Sequence, residues 1–466
     1  MRRSAPLAFA LIATACNGFP LTSLARTAPP EPAPPRDFKL PSADTIILDN
    51  GLEVTFIEFG DVPKVTISAT VRAGALNQGE QPWLANLTAQ MLTEGTTRRS
   101  AEEIAVAAAN MGGQLLVGAG DDQTSAGLDV LSESGPEAVA LLAEVLTAPA
   151  LPASEFERVR QDAARSLSVA RTQPQSLAGE AFRSALYGEH PYAFAFPTDA
   201  QLAGYTVEDL QRFYEANFGA RRTHLYIAGQ FDRAAMERAV REAFGSWRAG
   251  PEVLVDLPEP VMAAQARLIA RPGAPQSTIY LGLPVVDPTH PDFMALSVMN
   301  TLLGGYFSSR VTANIREDKG YTYSPNSSFA TRYRDAVWVQ VADVTTQHTG
   351  AALAEIHKEI ERLRREPPSE AELEGVKNYR NGVFLISNST PEGLLAQLAF
   401  MDLHELPEEW LSTFVDRLYA VTPEQVSEVA RKYLDPEAMT LVVVGDLDVV
   451  RPQIDVLDFL EGVSID

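Results

Sequence analysis

The chain has 466 residues, 45% of them hydrophobic and 21% charged, the balance of a soluble globular protein with chain enough for more than one core. A net charge of −23 repels phosphate backbones and argues against nucleic acid as a partner; the acidity reads as solubility, with a basic partner as the alternative. The single cysteine, Cys16, leaves no pair for an internal disulfide.

In chain order, residues 1–26 read as an export signal. Arg2 and Arg3 form a basic start, and Pro6 to Cys16 is an apolar run too short to span a membrane as a helix. Ala13-Thr14-Ala15 and Ser23-Leu24-Ala25 both offer small residues for cleavage, and Cys16 stands where a bacterial lipoprotein would carry its lipid. Both outcomes predict a periplasmic or otherwise exported protein, lipid-anchored through Cys16 in one and simply cleaved in the other. Residues 27–42, with Pro29-Pro30-Glu31-Pro32-Ala33-Pro34-Pro35, form an extended tether.

The fold then opens with a hairpin, Ile46–Leu48 and Val54–Ile57 around Asp49-Asn50-Gly51. Strands follow at Val65–Val71, Ser125–Leu131 and Leu225–Ala228. Ser100 with Glu103, and Ser154 with Glu157, have capping-box spacing and predict helix starts. Interleaved helices and hairpins argue for α+β architecture.

An internal repeat organises the rest. Thr206–Asp232 and Thr422–Asp448 align without a gap at an offset of 216. In each, a threonine cap starts an amphipathic helix, and an apolar strand ends in glycine, Gly229 or Gly445, with an aspartate just beyond. The Ser154 pattern recurs at Ser369, at an offset of 215. Two matches at nearly one offset predict a duplicated domain. The expected division is 43–250 for the first domain, 251–266 for a linker around Gly250, Pro251, Pro258 and Pro260, and 267–460 for the second.

Met91-Leu92-Thr93-Glu94-Gly95-Thr96, His190-Pro191-Tyr192, Gly304-Gly305 and Ile315–Ser324 together resemble the pitrilysin/insulinase (inverzincin) metallopeptidases, in particular bacterial processing-peptidase-like members. The resemblance covers about residues 43–455 and implies two homologous tandem domains. Each would be a mostly antiparallel sheet packed with helices, the pair forming half of a clamshell. In active members the helix before the Glu-Gly-Thr element carries His-x-x-Glu-His, two zinc-binding histidines on one helical face with a glutamate base between them. A later helix supplies a glutamate ligand. Here those positions fall on Asn86, Ala89, Gln90 and Ser166, so the zinc site is degenerate: amides are poor zinc ligands and a methyl group takes no proton. Of the six histidines, none has the motif spacing.

The second half keeps its signature. Residues 304–324 read GGYFSSRVTANIREDKGYTYS, and Arg316 and Tyr323 match the arginine and tyrosine with which the family holds substrate and stabilises the oxyanion. The bland alternative has Arg316 paired with an acid such as Asp318 and Tyr323 packed in a sheet. His190-Pro191-Tyr192 reads as a structural turn, and Gly304-Gly305 lacks the lysine of a phosphate loop.

The resemblance implies a non-catalytic subunit of a heteromeric zinc metallopeptidase, binding no cofactor itself and donating Arg316 and Tyr323 to the zinc site of a homologous partner subunit that cleaves peptides or unfolded protein. The alternative is an inactive peptide-binding or structural envelope protein. A third reading, an active homodimer with an unrecognised site, stands against the missing ligands.

Overall fold

The computed structural model describes residues 41–465; the export signal, Cys16 and all but the last two residues of the tether lie outside them. Twelve strands form two six-stranded sheets among the described residues. The first contains β1 (Ala43–Ile47), β2 (Glu53–Glu58), β3 (Lys64–Val71), β4 (Leu116–Ala119), β5 (Thr124–Leu131) and β6 (Thr223–Gly229) in the order β1-β2-β6-β3-β5-β4. The second contains β7 (Gln265–Ala270), β8 (Gln276–Val285), β9 (Asn326–Arg332), β10 (Asp335–Thr345), β11 (Thr440–Gly445) and β12 (Ser464–Ile465) in the order β12-β7-β11-β8-β10-β9. Apart from the outer strands β1 and β12, one order maps onto the other. In both halves one equivalent pair is parallel, β2 with β6 and β7 with β11; the short edge strand β12 also runs parallel to β7, and the strands from β6 to β4 and from β11 to β9 run antiparallel. The duplication read from the sequence is therefore a duplication of topology.

Local chemistry explains the element starts. Asn50 and Gly51 close the first hairpin, with Gly51 at φ 90°, a conformation that favours glycine. Ser100, Thr206 and Thr422 cap their helices through capping boxes with Glu103, Asp209 and Gln425. Ser369 caps the Glu370–Ser387 helix, but Ser154 does not cap its counterpart. That helix runs Ala153–Ala170 with extended Pro152 at its N-cap, so Ser154 falls inside it. The first strand of the second half starts at Gln265, within the segment expected as linker, because Gln265 pairs in register with Thr440.

Each sheet packs one face on helices of its own half. The other face receives a helix from the opposite half. Ala178, Phe182 and Leu186 of the Pro174–Tyr187 helix lie with Val337, Val442 and Val444; Leu394 and Leu395 of the Pro391–His404 helix lie with Ile57, Tyr226 and Ala228. With both faces covered, β11 is buried at every position, which is why it reads as an unbroken apolar run.

A polar network also joins the halves. Arg332 Nε donates to Asp121 at 2.6 Å and its Nη1 to the Tyr187 hydroxyl at 2.8 Å. Tyr187 in turn donates to Asp335 at 2.5 Å, and Arg183 Nη2 reaches the second Asp121 oxygen at 2.9 Å. Tyr192, of the His190-Pro191-Tyr192 turn, is fully buried and donates to Asp122. Burial by itself pushes the Asp121 carboxyl up, but Arg332 and Arg183 overcome it and hold it below the ordinary carboxylate range. Burial raises Asp122 and Asp335.

Candidate functional site

The positions of the degenerate zinc motif lie on the Leu84–Leu92 helix. Leu87 and Met91 are buried in the core of the first half, which turns Asn86 and Gln90, four residues apart, outward on one exposed face. Ala89 is buried. Asn86 Nδ2 donates to the Ala119 carbonyl of edge strand β4 at 3.2 Å. Ser166 is exposed on the Ala153–Ala170 helix, which packs against the Leu84–Leu92 helix. The Glu-Gly-Thr element fastens the two: Glu94 pairs with Arg158 of the second helix, and Thr96 donates to buried Glu144, which also pairs with Arg98 and Arg99.

The residues at these positions offer no metal donors. Two amides, a methyl group and a hydroxyl do not fit zinc, which is held by imidazole, thiolate or carboxylate. Among the described residues no cluster of three or more histidine, cysteine, aspartate or glutamate side chains is placed to hold a metal ion.

In the second half, the chain from Ser309 to Tyr323 is built to present Arg316. Arg310 makes a bidentate pair with Glu372 at 2.7 and 2.8 Å, anchoring the Ser-Arg element. Asn314 donates to Glu355 at 2.8 Å and to Glu359 at 2.9 Å, and Ile315 is fully buried. Between these anchors Thr312–Asp318 forms a π-helical turn, a rare geometry frequently found at functional sites. It reverses at Gly320, φ 66°. Arg316 emerges between two aromatic rings, its guanidinium 4.3 Å from the centroid of Phe307 and 4.9 Å from that of Tyr323.

The structure therefore brings the two sequence-predicted residues together. Asp318 pairs with Lys319, and Arg316 has Glu317 at 3.2 Å instead. Tyr323 is not packed in a sheet: it is 77% exposed. The sequence reading missed Phe307, 64% exposed, whose only signal was an aromatic residue inside the glycine-rich turn. Cation–π contact with Phe307 and Tyr323 holds the half-buried Arg316 guanidinium in place beside Glu317.

The Insulinase (Peptidase family M16) profile matches residues 58–196, and the Peptidase M16 inactive domain profile matches residues 204–379. The chain belongs to the insulinase family, peptidase family M16. Within M16 it is 23% identical to an uncharacterized zinc protease of Bacillus subtilis (strain 168), over 84% of this chain and 96% of that one. It is 26% identical to an uncharacterized zinc protease of Mycobacterium tuberculosis (strain H37Rv), over 86% and 93%. Among solved structures, the peptidase M16 inactive domain from Pseudomonas fluorescens superposes with a TM-score of 0.81 at 25% identity, covering 86% of this chain and 98% of that one. A protease from Helicobacter pylori superposes at 0.82 and 18% identity, covering 87% and 100%. This M16 chain is peptidase-like in fold and lacks the zinc motif.

Proposed function

We propose that this protein is the non-catalytic subunit of a heteromeric M16 peptidase, and that Arg316 and Tyr323 act on substrate held at the zinc site of a homologous partner. The observation that carries this reading is the contrast between two places in one chain. Asn86, Ala89, Gln90 and Ser166 have lost every group that zinc hydrolysis needs, while a half-buried Arg316 and an exposed Tyr323 are held side by side. A guanidinium presents a fork of donors and a phenol one donor at fixed reach. Both can donate to a carbonyl oxygen as it gains charge, and such donors are worth roughly a hundredfold or more in turnover.

The test is reconstitution with the zinc-bearing homologue from the same organism. This chain alone should cleave no unstructured peptide. In an active complex, Arg316→Ala and Tyr323→Phe should each lower kcat by on the order of a hundredfold, because their contacts tighten only as charge develops, with assembly by size-exclusion chromatography unchanged. Full turnover in a well-assembled Arg316→Ala complex would refute the role.

A second reading, a peptide-holding protein with no hydrolysis, is favoured by the cavity of about 890 Å³ between the first sheet and the Pro391–His404 helix, lined in part by Ile67, Leu128, Leu395 and Phe400. Peptide binding by this chain without a partner, and no zinc-bearing homologue that associates with it, would select that reading.

A further inference from the structure

In the second half, two cavities of about 600 and 610 Å³ lie on either side of one wall formed by Phe293, Ser297, Arg380, Trp410 and Phe414. Arg380 is the only charged residue lining the first. In the second, Arg334 and Glu405 pair with one another, leaving Arg380 and Arg417 as its uncompensated charges.

Neither arginine has a carboxylate partner among the described residues. Arg380 Nη1 donates to the Thr301 hydroxyl at 2.9 Å and to the Ser297 carbonyl at 3.3 Å. Arg417 Nη2 donates to the Trp410 carbonyl at 2.6 Å, and its guanidinium lies 5.0 Å from that indole ring. The Nε of each is buried without a hydrogen-bond partner. Burial lowers Arg380 to about 10, which leaves it charged at neutral pH, and lowers Arg417 in the same direction. In a chain with 61 acidic and 38 basic residues, two guanidiniums facing one cleft, neither paired with an acid among the described residues, are not explained by a shortage of counter-ions. Each costs stability as it stands. Such an expense is characteristic of a binding site whose counter-ion arrives with the ligand.

The rest of the cleft states what the ligand carries besides its charge. Aromatic side chains line both cavities, with Phe384 and Phe400 in the first and Phe293, Trp410 and Phe414 between the two. Guanidinium groups match planar carboxylates by paired hydrogen bonds. The volumes lie in the range of small-molecule sites.

We infer that this cleft binds a carboxylate attached to an aromatic or bulky apolar body, with Arg380 and Arg417 meeting the carboxylate and the Phe293–Trp410–Phe414 wall meeting the body. A free aromatic acid and the C-terminal carboxylate of a peptide ending in a large apolar residue present the same chemistry. The site is formed within this chain and needs neither zinc nor a second subunit, so it stands or falls separately from the role of Arg316 and Tyr323.

Isothermal titration of the purified protein tests it with four probes: 3-phenylpropanoate, 3-phenylpropanamide, and Ala-Ala-Phe with a free or an amidated C-terminus. At least one free acid should bind one-to-one, at least about tenfold more tightly than its amide. Binding of phenylpropanoate alone identifies a free acid as the ligand, and binding of the tripeptide alone identifies a peptide terminus. Arg380→Gln should weaken the acid at least about tenfold while its thermal midpoint stays level or rises, since the variant no longer desolvates an unpaired charge. If Arg380→Gln does not fold, Arg417→Gln carries the same binding expectation. Equal binding of acid and amide, no binding of either acid at about 10 mM, or unchanged affinity in a folded variant would overturn the inference.

Discussion

Replacing Arg332 by methionine tests whether the polar network is what couples the two halves. Arg332 reaches from β9 of the second half to Asp121 and Tyr187 of the first, with its side chain 7% exposed. Its guanidinium also lies 5.1 and 5.0 Å from the centroids of the Tyr187 and Tyr192 rings. Breaking one side of a buried pair costs about 3–5 kcal/mol, mostly by stranding the other charge. Arg183 still holds one Asp121 oxygen at 2.9 Å, which places this case near the lower end, and two lost ring contacts add about 0.5–1 kcal/mol each. The expected loss is about 4 kcal/mol. For halves of this size that is roughly 8–16 °C in thermal midpoint. The sign with pH follows from Asp121, whose carboxyl is held low against its burial by Arg332 and Arg183. A carboxyl with a depressed folded pKa contributes stability that is present above its unfolded value, near 4, and lost as pH falls through the folded value. The gap between wild type and Arg332→Met should therefore be full at pH 7 and narrow below about pH 4. Urea unfolding from pH 7 to pH 3, with calorimetry at neutral pH, measures both. A neutral-pH loss under about 1 kcal/mol, or a gap that does not narrow in acid, would show that the halves are held by their exchanged helices alone.

Two further outcomes are expected. Rebuilding the motif with Asn86→His, Ala89→Glu, Gln90→His and Ser166→Glu should give about one tightly held zinc per chain by atomic emission, against none for the natural sequence; failure of the four together would mean that Ser166 is not the position facing Asn86 and Gln90. Asp335 is raised by burial, and a carboxyl with a raised folded pKa costs stability as pH climbs from its unfolded to its folded value. Asp335→Asn, which keeps an acceptor for Tyr187, should therefore gain stability relative to wild type between pH 4 and pH 8, and a constant difference across that range would refute this.

Short-range rules made much of the molecule legible from its residues. The Asn50-Gly51 turn, the boxes at Ser100, Thr206 and Thr422, and the run Leu441–Val444 depend on neighbours within a few positions, and each formed the element expected. The repeat was readable because both copies spend the same local signals on the same topology. Asp446 rather than Asp448 caps the last helix, two positions earlier than strict repetition with Asp232 would give. Ser154 misled because the helix already begins at Ala153, with Pro152 at the N-cap, which places the serine inside the first turn.

The sequence by itself determined that the chain is duplicated, that Asn86, Ala89, Gln90 and Ser166 offer zinc no donors, and that Arg316 and Tyr323 carry a recognisable signature. Those are matters of residue type and spacing, which no fold can change. Only the tertiary structure decided that Arg316 stands between Phe307 and an exposed Tyr323, that each half lends a helix to the other's sheet, and that Arg332 meets Asp121 across 211 residues of chain. It also left Arg380 and Arg417 facing a cleft whose one acid, Glu405, is paired with Arg334. A charge's partner, or its lack of one, is set by which distant segments burial brings against it, and helix and strand periodicity carry no record of that.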